Sequence, residues 1–201
     1  MNITFNPATT TNAAGLFNVN SAGFTQGDAQ DDPATKFRLT GGIVAATSPT
    51  PLYGGMLIQE LLPAASSQPG ANILGNQLLP ATAAANTTGI CVINKAYAGV
   101  TSPSSPVPLF GQGMSANFYR FGSLGRIPLR INPALVSLDG GLITQQVSWD
   151  YVNNWITTFS ATAFPVKILT ISTSGNKTVA YNSGTGAATY LTTEYIALCE
   201  I

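Results

Sequence analysis

The chain has 201 residues, and its eight Lys and Arg balance eight Asp and Glu, so the formal net charge is zero. Charged residues make up only 8% of it, where an ordinary soluble domain has about 25%. There is no histidine, which removes Ser-His-Asp and Cys-His nucleophile systems and the usual zinc sites, and the missing basic stripe argues against nucleic acid as the main ligand.

A chain of this length suits one all-β domain, or one domain with an arm. It is long enough to bury roughly 70% of the surface of its unfolded form without help from a disulfide or a metal. So low a charge leaves little self-repulsion to keep a free protein dispersed. The surface is then supplied by Ser, Thr, Asn and Gln, or is covered by partners, and both suit a component of a large assembly.

Taken in order, Met1 to Asn12 has neither the basic region nor the apolar run of a secretory signal. No run reaches the roughly 18 apolar residues of a membrane span. The sequons at Asn2, Asn86 and Asn176 are read as chance in an Asn- and Thr-rich chain. Residues 1–35 are polar and turn-rich, with isolated Phe5, Phe17 and Phe24. They read as an N-terminal arm whose phenylalanines dock, Phe17 and Phe24 onto the protein's own core. Within it, Gly27 to Pro33 carries three of the eight acids, Asp28, Asp31 and Asp32. A calcium loop is one reading. A helical turn capped by Asp32, with Pro33 at its first position, fits better because the spacing is not that of a calcium-binding loop.

From residue 36 a single β domain is expected to run to residue 201. Lys36 to Thr40 alternates, Gly41-Gly42 punctuates, and Ile43 to Ala46 follows. Leu52 to Leu61 reads as a strand entered through Gly54-Gly55. The stretch 63–89, rich in Ala, Gly, Pro, Asn and Ser, reads as a long surface loop with a short helix near 80–86. Gly89 to Ala96 is a strand, and Pro103, Pro106 and Pro108 stiffen the crossing after it. Cys91 and Cys199 sit in apolar runs and read as buried thiols.

Gly111 to Arg130 holds Arg120, Arg126 and Arg130 among aromatics, on two strands joined by a turn at Gly122 to Gly125. A phosphate or single-strand site is the sharper reading. Pairing with carboxylates, inside the fold or across a subunit boundary, is the plainer one, and the zero net charge favours it. Val147, Trp149 and Tyr151 alternate on a strand, Asn153-Asn154 turns, and Trp155, Thr157 and Phe159 resume the alternation. Both tryptophans are expected to be largely buried. Hairpins are expected over 166–171 with 177–182, and again around Ser183 to Gly186, before a final strand from Tyr195.

No GxSxG motif, phosphate loop or dinucleotide fingerprint is present. Nothing selects a carboxylate pair from the eight acids. The expectation is a protein that is not an enzyme and uses no cofactor or metal.

Several blocks carry a resemblance. Leu52-Tyr53-Gly54-Gly55-Met56, Pro106 to Leu109, Met114 to Arg120, Gly140 to Ile143, Val147 to Tyr151, and the ending from Phe164-Pro165-Val166-Lys167 resemble small virion structural proteins of tailed bacteriophages. Those proteins are of the head decoration, or capsid cement, type. The resemblance implies an all-β module, a compact barrel or sandwich with an extended arm and long loops. It implies as partners the major capsid protein and other copies of the chain, without nucleic acid or membrane. The place implied is the capsid exterior of a virion made in the host bacterial cytoplasm. On that reading Phe5, Phe17, Phe24, Arg120, Arg126 and Arg130 are the candidate assembly contacts. The alternative is a receptor- or carbohydrate-binding module of a tail fibre or spike, or a tail or baseplate subunit.

Overall fold

The computed structural model describes residues 23–29, 38–61, 76–93, 107–139 and 146–201. The fold is nearly all β, as expected, and it combines a closed barrel with a sheet. The barrel is formed by β1 (Thr40–Val44), β2 (Leu57–Leu61), β3 (Asn76–Pro80), β4 (Gly89–Val92) and β5 (Ser115–Arg120), in the order β1-β3-β2-β4-β5. Chain order continues with β6 (Arg126–Ile131), β7 (Val147–Asp150), β8 (Trp155–Thr158) and β9 (Lys167–Ser172). The hairpin β10 (Thr178–Asn182) and β11 (Ala187–Leu191) comes next, then β12 (Tyr195–Glu200). The open sheet has the order β7-β8-β6-β12-β9.

Alternation in β2, β4 and β5 joins the two parts. Ile58, Cys91 and Phe118 point into the barrel, where they meet Val44, Leu52 and Leu78. Leu57, Ile90, Val92 and Tyr119 point outward and pack against Ile127, Leu129, Ile131, Ile156 and Ala197 of the sheet. All four residues of β4 are therefore buried, because side chains on opposite faces of one strand serve two cores. The hairpin adds Val179 and Ala188 to the barrel core.

Residues 23–29 of the expected arm are laced into this body; residues 1–22 and 30–37 lie outside the described residues, and so does the capped turn expected at Asp32-Pro33. Thr25 bridges Lys177 and Asp28 bridges Ile93, both in parallel. Gly27 N–H donates to Pro128 C=O at 2.8 Å, and Ile93 N–H donates to Gly27 C=O at 2.7 Å. Gly27 has φ +73°, and a Cβ there would lie 2.1 Å from the Gly54 carbonyl carbon. Only glycine lets the strap pass so close to another backbone.

Four expectations change. Gly41-Gly42 does not interrupt a strand, because β1 runs through both. Here Gly42 provides closeness rather than a turn: a Cβ on it would fall 2.8 Å from Asn76 C=O on the parallel neighbour β3. The loop expected over 63–89 contains β3, which lies between β1 and β2 and gives Leu78 to the core. Its Gly-, Ala- and Pro-rich flanks conceal a short strand whose only strong apolar signal is Leu78-Leu79. The short helix expected near 80–86 is present in the same loop, as a 3-10 helix at Ala84–Asn86.

The hairpin expected between 166–171 and 177–182 does not form. β9 pairs with β12, and β10 pairs with β11. The buried Asn176 side chain accepts from Phe24 N–H at 3.1 Å. It donates to Ser172 C=O at 2.8 Å and to Glu194 C=O at 3.1 Å. The strap takes the next stretch, since Lys177 N–H donates to Phe24 C=O and Gln26 N–H to Lys177 C=O. A non-local partner has displaced the local one.

The fourth change concerns the tryptophans. β7 and β8 do form a hairpin, with Asn154 at φ 52° in the turn. In its register Trp149 faces Ile156, and Asp150 faces Trp155. Trp149 is therefore buried at 7% exposure, whereas Trp155 lies on the other face, half-buried. Phe159 is exposed. The turn spans four residues, 151–154, and this sets which face the return strand presents. Asp150 organises the turn: Oδ1 accepts from Val152 N–H at 2.9 Å and Asn153 N–H at 3.0 Å. Its Oδ2 accepts from Asn153 Nδ2 at 2.7 Å and Trp155 Nε1 at 3.2 Å.

Candidate functional site

The three arginines of the 111–130 stretch are each bound to a different carboxylate of the same chain. Arg120, at the end of β5, holds Glu60 of β2, with Nε donating to Oε2 at 2.8 Å and a second contact to Oε1 at 2.5 Å. This is the bidentate geometry that a planar guanidinium favours. Asn76 Nδ2 donates to the same Glu60. The Arg120 guanidinium is held further toward its charged form by the hydrogen bond to Glu60. Arg126 faces Glu200 across β6 and β12, with Nε 3.9 Å from Oε2. Lys167 of β9 reaches the other oxygen of Glu200 at 4.0 Å, completing a three-strand charge row.

Arg130 is the most enclosed of the three. Its Nε donates to Glu194 Oε2 at 3.1 Å, its NH1 to Asn153 C=O at 3.3 Å, and its guanidinium lies 4.7 Å from the Trp155 ring centre. The half-buried Trp155 is thus the lid of an arginine site on the solvent side of the sheet. Arg120 and Arg126 keep side-chain exposures of 52% and 48%, against 18% for Arg130. Phe24 is half-buried, with its backbone bound at Asn176 and Lys177. Phe5 and Phe17 lie outside the described residues.

The structure brings together a second feature that no local pattern announced, a cleft of about 500 Å³. Its walls are the Thr82–Thr87 loop before β4, Phe121 after β5, Ser148 and Trp149 of β7 with Tyr151 just after it, and the Ser160–Pro165 segment before β9. Phe164 stands between two rings, with centroids 5.0 Å from Trp149 and 5.5 Å from Phe121. The hydroxyls of Thr87, Tyr151 and Ser148 are engaged within the fold. Thr87 Oγ1 donates to Ala83 C=O at 2.8 Å and lies 2.9 Å from Tyr151 Oη. Ser148 Oγ donates to Thr162 C=O at 2.8 Å and accepts from Ser160 N–H at 3.0 Å. The indole N–H of Trp149 is buried with no acceptor among the described residues. The alternation at 147–151 marked Trp149 and Tyr151, but the other walls come from segments as far as Thr82, 67 residues before Trp149 (149 − 82), and carry no motif.

Large apolar side chains also stand in solvent: Val152 is 89% exposed, Leu124 52% and Phe159 47%. Both thiols are fully buried and unpaired, Cys91 in the barrel core and Cys199 in the core between barrel and sheet. Burial pushes the Cys91 thiol up to about 12 and raises Cys199 as well. Among the described residues no three His, Cys, Asp or Glu side chains group to hold a metal ion, and no helix is long and apolar enough to cross a membrane. No family model, curated protein or solved structure matches the chain.

Proposed function

We propose that this protein is a structural virion component that decorates a phage capsid and stabilises it by bridging major capsid protein subunits. The observation that carries the reading is a charge-poor surface that holds exposed apolar side chains, Val152 above all. Surfaces of that kind gain by being covered. A partner loses little charge solvation on covering them, because most of the polar groups are hydroxyls and amides rather than ions. The body suits a clamp: β4 of the barrel gives side chains to both cores, and the Gly23–Ala29 strap is hydrogen-bonded to both parts. The block resemblance to head decoration proteins points the same way.

Weak contacts suffice for this role. A lattice offers its binding surfaces in fixed array, and engaging two at once raises the effective concentration of each. The test is the melting of purified particles with and without the protein, alongside its copy number on those particles. The expected outcome is stoichiometric occupancy and earlier genome loss from particles that lack it. Equal melting, with the protein absent from purified heads, overturns the reading and favours the fibre or glycan-binding alternative.

A further inference from the structure

We propose that Arg38 and Arg120 form an oxyanion site whose ligand is a single carboxylate. The inference does not depend on the capsid reading, since it rests on the paired and unpaired charges of this chain alone.

The chain has four arginines. Arg120, Arg126 and Arg130 each hold a carboxylate of the same chain. Arg38 holds none among the described residues. It is exposed, and its NH1 donates to Ser123 C=O at 2.8 Å. A guanidinium carries five N–H donors in a fixed fork, and this one carbonyl occupies little of it.

The β1–β5 ladder brings Arg38 to Arg120. Thr40 faces Phe118 in that antiparallel register. Arg38 lies two residues before Thr40, and Arg120 two residues after Phe118, so the two strands place both arginines at the same end of the ladder. The turn after β5 then holds them together. Ser123 N–H donates to Arg120 C=O at 3.2 Å, while Ser123 C=O receives Arg38. Arg38, Thr40, Arg120, Phe121, Gly122 and Ser123 line one open pocket of about 340 Å³.

The lining contains no acidic residue. Two guanidiniums at one pocket repel each other, and Glu60 answers only one of them, through its bidentate hold on Arg120. Two cations against one carboxylate leave a single positive charge. A monoanionic carboxylate balances it and matches the planar fork of Arg38. A phosphate group, with a charge of about −1.5 to −2 at neutral pH, would leave excess negative charge beside Glu60. Neutral donors complete the lining. The N–H groups of Phe121, Ser123, Leu124 and Gly125 all have acceptors within the fold, and that of Gly122 has none among the described residues. A Cβ on Gly122 would meet nothing within 4 Å, so a ligand can come close to the backbone there. The Thr40 hydroxyl is likewise without a partner among the described residues.

Magnetic resonance titration of the isotope-labelled full-length chain tests the site. The probes are sodium acetate, the capped tripeptide acetyl-Gly-Asp-Gly-amide and inorganic phosphate. Sodium chloride keeps the ionic strength constant, so screening is the same at every point. Both carboxylates are expected to give saturable shifts at the Gly122 amide and the Arg38 side-chain N–H, with phosphate binding more weakly. Arg38→Gln keeps a donor for Ser123 C=O but removes the charge, and it should weaken the response at Gly122 at least tenfold. Lys167→Gln removes the same charge elsewhere on the surface and should leave that response unchanged. A tripeptide that binds at least tenfold tighter than acetate makes an acidic side chain of a partner protein the source of the carboxylate; equal affinities make it a free small carboxylate. No saturable shift with either carboxylate, a Gly122 response that persists in Arg38→Gln, or tighter binding of phosphate overturns the proposal.

Discussion

The side-chain oxygen of Gln26 accepts a hydrogen bond from the backbone N–H of Val179 at 2.9 Å, linking residues 153 apart in sequence. Gln26 is 1% exposed, and its own backbone N–H donates to Lys177 C=O. One residue of the strap thus holds the first strand of the β10–β11 hairpin through both main chain and side chain. Val179 in turn belongs to the barrel core. Gln26→Leu keeps the approximate volume but leaves the Val179 N–H buried and unpaired. The expected cost is about 1–3 kcal/mol, read as a shift of the urea midpoint. Amide exchange at Val179 should quicken, since its protection comes from this bond.

Trp149 and Trp155 should separate spectroscopically. Trp149 is buried against Phe164, and Trp155 is half-buried under Arg130. Trp149→Ala is expected to cost about 3–5 kcal/mol. Trp149→Phe should cost much less, because it removes an unpaired buried donor along with the lost area. Acrylamide should quench the Trp149→Phe protein, which retains Trp155, more strongly than the Trp155→Phe protein. The reverse order would contradict the β7–β8 register.

Stability should fall on the alkaline side. Burial pushes the Cys91 thiol up to about 12, and the Tyr190 phenol is also raised to about 12, by burial first and then by the Asp28 charge. Burial raises Cys199 and Tyr53 as well. The unfolded chain releases these protons near the ordinary thiol and phenol values, about 8.5 and 10, while the folded chain keeps them. The folded state therefore binds more protons, and unfolding becomes easier as pH rises. The contribution is fully present below about pH 8.5 and is lost as pH climbs toward about 12. Urea midpoints measured at about pH 8 and pH 10.5 should show the drop, and Cys91→Ala should make it smaller. A thiol reagent at neutral pH should find no reactive cysteine until the protein unfolds.

The capsid reading makes separate demands on the arginines and on the exposed apolar side chains. Arg130 is committed to Glu194, Asn153 and Trp155. Arg130→Ala should therefore lower stability, leaving a partly buried carboxylate without its cation. Val152 touches solvent over 89% of its surface, so Val152→Asp should leave the urea midpoint within about 0.5 kcal/mol of the parent. Its occupancy on particles, measured by gel densitometry, should fall at least tenfold if this turn meets the capsid. Unchanged occupancy would remove the β7–β8 turn from the contact.

The β7–β8 turn depends on one carboxylate. Burial acts to raise the Asp150 pKa, but it is outweighed by hydrogen bonds from Asn153, Val152 and Trp155, which hold Asp150 below the usual carboxylate range. Its stabilising effect is present above the unfolded value, about 3.9, and is lost as pH falls through the lower folded value. Asp150→Asn should weaken the turn at neutral pH and flatten the acid limb of the stability curve, measured by urea melts between about pH 2 and pH 6.

Period-two alternation in the sequence determined the β character of this chain, and it located β2, β4, β5, β7, β9 and β12 to within a few residues. Side-chain direction along a strand is a local property, set by backbone geometry. Composition likewise determined the charge-poor surface, and the apolar runs around Cys91 and Cys199 foretold two buried thiols. What a strand pairs with is not local. Only the tertiary structure decided that β9 joins β12 rather than β10. That choice depends on Phe24, Asn176 and Glu194 meeting across more than 150 residues. Only it decided that Gly42 admits β3, that Trp155 turns outward to Arg130, and that four separate segments wall one cleft. Each of these rests on register and close approach between distant segments, where a shift of one residue exchanges the buried and exposed faces of a strand.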